Sequence, residues 1–150
     1  SSVEEMDDEL LRRWNETVAP GYTVLHLGDV ALGSIKHSLP LTAGLHGRRF
    51  LVPGNHDRVS PATQTRSAIE RFTPLNEAAG WIILPEVIAG RRGGQRLIAS
   101  HYPYRGDSQE LDRHVSHRPV DDGNPLIHGH THYRDAGANC NLFHVGGDAF

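Results

Sequence analysis

Apolar residues along the chain fall into short, distinct blocks. Met6, Leu10 and Trp14 recur every four residues through the charged opening SSVEEMDDELLRRWNETV, which predicts an amphipathic helix. Ser2 with Glu5 makes a capping-box pair, and acidic first turns followed by Arg12 and Arg13 suit the helix dipole. Pro20-Gly21 stops it. YTVLHL then reads as a short strand ending at Gly28-Asp29, and RRFLV as another running into Gly-Asn-His-Asp. Between them a second helix is expected from about Ser34 to Leu45, broken or late-starting because of Pro40. Pro61 to Gly80 is expected to be helical or irregular, with Ile69 and Phe72 turned inward. WIIL, EVIA and QRLIAS follow as strands, the last two joined by a hairpin turn over Gly90 to Gly94. Tyr102 to Asn124 is polar, aperiodic and too long for a simple connection, which marks it as a binding loop. PLIH and CNLFHV close the pattern as strands. No repeat, low-complexity tract or linker divides residues 1–150, so one domain is expected.

Composition narrows the function classes. Fifteen Lys and Arg against 18 Asp and Glu give a net charge of -3, so no basic field invites a nucleic-acid backbone. No apolar run approaches membrane-spanning length, and the acidic start is unlike a secretory signal. A single cysteine, Cys140, excludes an internal disulfide and a cysteine-rich zinc site, and a cytoplasmic location is expected. Histidine is the outlier: 11 are scattered through the chain, and neutral imidazole is the commonest metal ligand.

The strand ends concentrate these polar residues. VLHL stops at Gly28-Asp29, FLV at Gly54-Asn55-His56-Asp57, LIAS at His101, and PLI at His128-Gly129-His130-Thr131-His132. Ligands of open α/β sheets gather outside the carboxyl ends of strands. Glycine before three of these residues would let the backbone turn sharply and approach an ion. The donors are oxygen and nitrogen without sulfur, a set that suits Mn²⁺, Fe, Ni²⁺, Co²⁺ or Zn²⁺ and does not choose among them.

These motifs, in this order, resemble those of the calcineurin-like metallophosphoesterases: GDV at Gly28-Asp29, GNHD at Gly54 to Asp57, His101 after a strand, and GHTH at Gly129 to His132. The match spans almost the whole chain, and HLGDVALG with the acidic first helix looks most like the small bacterial and phage members. The resemblance implies an αββα sandwich of two mixed β-sheets flanked by helices. It implies one metal held by Asp29, Asn55, His101 and His130, and a second held by Asp29, as a bridge, and His132. His56 would be the general acid and Asp57 the carboxylate that orients it. The implied activity is hydrolysis of a nucleotide-type phosphodiester by metal-activated hydroxide, with Mn²⁺ first among the candidate ions and a small phosphoester as partner. Phosphomonoester or phosphoprotein hydrolysis is the nearest rival; a metallophosphoesterase fold kept only as an interaction scaffold is the non-enzymatic one.

One family motif is missing. The resemblance calls for Asp-x-His on a strand before the first helix, and no Asp-x-His precedes Asp29. The expectation is a chain shortened at both ends, or a reduced one-metal member, with the second metal position weakened in either case. Outside the motifs, His26 is expected to be structural, and His128, alternating with His130, to face the other side of its strand. Arg58 is a candidate phosphate ligand or an ordinary solvated arginine. Tyr102 and Tyr104 either stack on a base or pack their loop.

Overall fold

The computed structural model describes residues 2–132, 138–139 and 142–145. Helix α1 runs Val3–Thr17, and the expected capping box forms, with the Ser2 hydroxyl accepting the Glu5 N–H and the Glu5 carboxylate accepting the Ser2 N–H. Strand β1 is Thr23–His26, α2 is Ile35–Leu41 and β2 is Arg48–Leu51. Pro40 sits inside α2, which gives way directly to a 3-10 turn at Thr42–Gly44, the interruption its ring predicts. Helix α3, Arg66–Ala78, is capped by the Thr65 hydroxyl and leads into β3, Trp81–Ile83. Strands β1, β2 and β3 form one parallel sheet in that order.

The second sheet is mixed. Strands β4 (Val87–Arg92), β5 (Gln95–Ser100), β6 (Leu126–His128), β7 (Ala138–Asn139) and β8 (Leu142–His144) are ordered β4-β5-β6-β8-β7. Their hairpin is tighter than expected. Gly90, Arg91 and Arg92 pair with β5, leaving a two-residue turn at Gly93-Gly94, both at positive φ. A two-residue turn of that hand matches the twist of paired strands. Two sheets with three helices make the expected α/β architecture of αββα type. Cys140, expected at the start of the last strand, lies outside the described residues. No helix among the described residues is long and apolar enough to cross a membrane.

The helices cover the first sheet. Leu51, Trp81, Leu39, Val59, Ala79 and Ala31 form the buried cluster, with Trp14 of α1 and Phe72 of α3 packed against it. Trp81 donates its Nε1–H to Thr42 Oγ1 at 2.8 Å, and Trp14 donates to the His46 carbonyl at 3.0 Å, so both large rings pack inward with their polar atom satisfied. The α1 stripe departs from expectation towards its start. Trp14 is half-buried, but Met6 and Leu10 remain 52% and 58% exposed above an apolar groove of about 650 Å³. Ile69 and Phe72 turn inward and are half-buried.

Candidate functional site

Each of β1, β2, β5 and β6 is followed by a site residue, and the loops are locked together there. The His101 ring donates Nδ1–H to the Leu27 carbonyl at 2.6 Å, tying the end of the second sheet to the end of the first. Two glycines make this approach possible. A Cβ on Gly28 would lie 2.6 Å from His101 Nδ1, and one on Gly54 would lie 2.8 Å from the Asp29 nitrogen. Gly28 also adopts φ 95°, where side chains are strained. Gly129 differs: its nearest neighbours would be at 3.6 Å or beyond, so space does not demand a glycine there.

Asn55 Oδ1 is the hub. It lies 3.1 Å from His101 Nε2 and 3.0 Å from His130 Nδ1, and these two nitrogens are 3.2 Å apart. Asp29 Oδ2 stands 3.5 Å from His101 Nε2, while Asp29 Oδ1 accepts the His56 N–H at 2.9 Å. Tyr102, fully buried, wedges against both imidazoles with centroid separations of 5.0 and 5.1 Å. Counting only His, Cys, Asp and Glu, no group of three or more among the described residues is placed to hold a metal ion. The cluster's centre is instead a neutral amide oxygen, with the Asp29 carboxylate at the longest of these distances.

The protons decide what such a cluster can do. His101 spends its Nδ1–H on a carbonyl, which can only accept, so Nε2 carries a lone pair. His130 Nε2 is 3.1 Å from Asp107 Oδ2, and the ionised carboxylate can likewise only accept, so Nδ1 carries the lone pair. The longer approach of Arg113 to the same nitrogen, at 3.4 Å, is secondary to it. Burial lowers the pKa of His101, and it lowers that of His130 to about 4 against the pull of Asp107, so both rings are neutral at pH 7. With its oxygen inward, Asn55 brings a third acceptor. Three buried or half-buried acceptors within 3.2 Å of one another share no hydrogen. Such an arrangement is costly until a cation comes between them. That is the fit of these residues to a divalent ion, and N/O donors on one point are the chemistry it needs.

Backbone strain marks the same positions. Four non-glycine residues among those described adopt positive φ, and three are expected ligands: Asp29 at 59°, His130 at 65° and His132 at 51°. Left-handed conformations cost free energy and persist where surrounding structure imposes them. His132 is exposed, two residues beyond the cluster.

The remaining candidates separate. His56 is exposed and, with Asn55, Arg58 and Gln64, lines a pocket of about 210 Å³. Asp57 does not reach the His56 ring through any described hydrogen bond. It accepts the N–H groups of Asp29, Gly54 and Val30, and burial raises its pKa against the pull of these bonds. His128 is buried and donates Nδ1–H to the Gly129 carbonyl, a packing role. His26 packs between Trp14 and Trp81, as a structural residue would, and its buried Nδ1 has no hydrogen-bond partner among the described residues. Tyr104 donates to the Asn124 carbonyl and so helps close the long loop on itself. Asp107 had no sequence signal beyond lying in that loop.

No family model matches the chain. It is similar to two mycobacteriophage proteins, each described as Gene 66 protein. The one from phage L5 is 37% identical over 87% of this chain and 66% of the relative. The one from phage D29 is 31% identical over 96% of this chain and 76% of the relative. The chain thus spans about two thirds of the length of the L5 relative. Among solved structures, a protein of unknown function from Aquifex aeolicus superposes with a TM-score of 0.64 at 23% identity, covering 99% of this chain and 79% of that one, and shares its fold. An archaeal phosphodiesterase reaches a TM-score of 0.48 at 21% identity over 93% of this chain and 73% of its own, a likeness too remote to bear on activity.

Proposed function

The chain belongs to the family of the mycobacteriophage Gene 66 proteins, and we propose that it is a divalent-metal-dependent phosphoesterase of the calcineurin-like type, acting on a phosphodiester. The observation that carries this reading is the meeting of Asn55, His101 and His130 acceptor atoms beside Asp29. These four residues would hold one cation, with Mn²⁺ the first to test, and Asp29 with His132 would hold a second only weakly. A bound cation would supply positive charge to a phosphate oxygen and acidify a water molecule.

The chain's own residues do the rest. His56 is exposed beside Asn55, on the rim of the pocket that also includes Arg58. Its imidazole would give a proton to the departing alkoxide, the role of a general acid within reach of the leaving oxygen. Arg58 would take a non-bridging phosphate oxygen. The Asp57 carboxylate, accepting the Asp29 and Gly54 N–H groups, keeps the Asp29 and Asn55 loops at fixed separation while this happens.

Calorimetric titration with Mn²⁺, followed by hydrolysis of bis(p-nitrophenyl) phosphate by the full-length protein, tests the proposal. Binding of at least one equivalent, lost in Asn55→Ala, is expected, with diester hydrolysis faster than monoester hydrolysis. An Asn55 amide turned over would donate to both rings and satisfy the cluster without an ion. Failure to bind Mn²⁺, Fe²⁺, Ni²⁺, Co²⁺ or Zn²⁺ would point to that arrangement and overturn the metal reading. A faster monoester rate would replace the diesterase by a phosphomonoesterase.

A further inference from the structure

We propose that Asp107 is the positioning residue for His130, fixing the orientation and tautomer that aim Nδ1 at the Asn55–His101 cluster. The inference deepens the proposed metal site and rests on that reading for its functional meaning, though its geometry stands separately. Asp107 belongs to the long polar loop, 23 residues before His130, yet its Oδ2 is 3.1 Å from His130 Nε2. The carboxylate side chain is wholly buried.

Two arginines hold it there. Arg113 donates from its guanidinium at 2.7 and 3.2 Å and from its main-chain nitrogen at 3.0 Å. Arg118, itself buried, donates at 3.1 Å and spends its other N–H groups on the carbonyls of Arg113 and Gly106 at 2.9 Å each. The loop is therefore folded around one carboxylate. Removing a carboxylate from water is costly unless its lone pairs are filled, so a loop that merely needed closing would be served as well by apolar contacts. What the buried charge adds is direction. A carboxylate that takes up guanidinium hydrogens from both Arg113 and Arg118 is ionised and has no proton to give. The imidazole beside it must donate Nε2–H, and its lone pair is then confined to Nδ1. A partner on the far nitrogen is also how ligating histidines are generally oriented.

The test reads the ring directly. Long-range ¹H–¹⁵N spectra of the full-length wild-type protein, with His130 assigned by its loss in His130→Gln, should show Nε2–H and a bare Nδ1. In Asp107→Asn the amide can offer its own hydrogen to Nε2, so the Nδ1–H form should gain population. Mn²⁺ affinity should fall by about 10–100-fold, the range for loss of such a partner. Asp107→Glu, which keeps the charge, should recover part of it. A wild-type ring protonated at Nδ1 overturns the proposal even if no Asp107 variant folds. So does a folded Asp107→Asn protein that keeps the Nε2–H tautomer. If wild-type protein binds no metal, the metal reading fails while the tautomer still decides the role of Asp107.

Discussion

Asp57 holds Asp29 by its main chain rather than by its charge: Asp57 Oδ2 accepts the Asp29 N–H at 2.8 Å. The same oxygen takes the Gly54 N–H at 2.8 Å, and Oδ1 takes that of Val30 at 3.0 Å. One buried side chain thereby fastens the loop after β1 to the loop after β2. Asp57→Ala leaves three amides without this acceptor, each costing about 1–3 kcal/mol if left buried and unpaired, and is expected to cost at least ~3 kcal/mol. Asp57→Asn keeps one acceptor oxygen and should cost about half as much. Urea unfolding measures both; a cost below about 1 kcal/mol for Asp57→Ala would mean that water replaces the carboxylate.

Gly54 and Gly129 should respond differently to the same change. A methyl group on Gly54 meets the Asp29 main chain and the His101 ring at 2.8 Å, whereas one on Gly129 finds ordinary contact distances. Gly54→Ala is expected to abolish Mn²⁺ binding and lower the melting temperature; Gly129→Ala should leave binding within about threefold, a shift of only ~0.7 kcal/mol. Parallel calorimetry and thermal melts on the two variants check the contrast.

His56 is exposed, and only its main-chain nitrogen bonds to Asp29. His56→Ala should therefore retain fold and metal affinity. Its hydrolysis of a diester with an alkoxide leaving group should slow by about 10²–10⁴-fold, the usual contribution of a general acid. A p-nitrophenolate leaving group needs little protonation, so its rate should change far less. Equal losses for both leaving groups would remove His56 from the proton-donor role.

Burial between two tryptophans lowers the pKa of His26 to about 4, with Asp29 opposing the shift and His101 adding to it. An unfolded histidine titrates near 6.5. Unfolding between about pH 6.5 and pH 4 therefore takes up a proton. The stabilisation is complete above the higher value and is lost as pH falls to the lower. Each titrating group adds a slope of up to about 1.4 kcal/mol per pH unit in that window. His130, also lowered to about 4, contributes similarly in the metal-free protein. His26→Phe should flatten the curve without removing it, as read by urea unfolding from pH 4 to pH 7.

What the sequence makes legible here is what local chemistry writes. Asp29, Asn55, His101 and His130 each follow an apolar run, so their residue type and position suffice to propose that they meet. Asp107 is legible only as part of a polar loop, because its partner lies 23 positions away and no periodicity links them. Asp57 beside His56 suggests a pair, yet its described bonds go to amides of two loops, a choice made by the turn geometry. The stripe of Met6, Leu10 and Trp14 foretells an amphipathic helix. It does not say what covers the stripe, and Met6 and Leu10 stand largely exposed.

His101 comes from the second sheet, while its ring proton rests on Leu27 at the end of the first. An ion seated among Asp29, Asn55, His101 and His130 would work as a rivet, joining two halves of the molecule that the described hydrogen bonds connect through side chains. Affinity for the ion and resistance to pulling the halves apart would then be one free energy read in two ways. At a hundredfold excess over its dissociation constant, such an ion adds about 2.7 kcal/mol to the folded state. A melting curve would consequently rank candidate metals before any substrate is known.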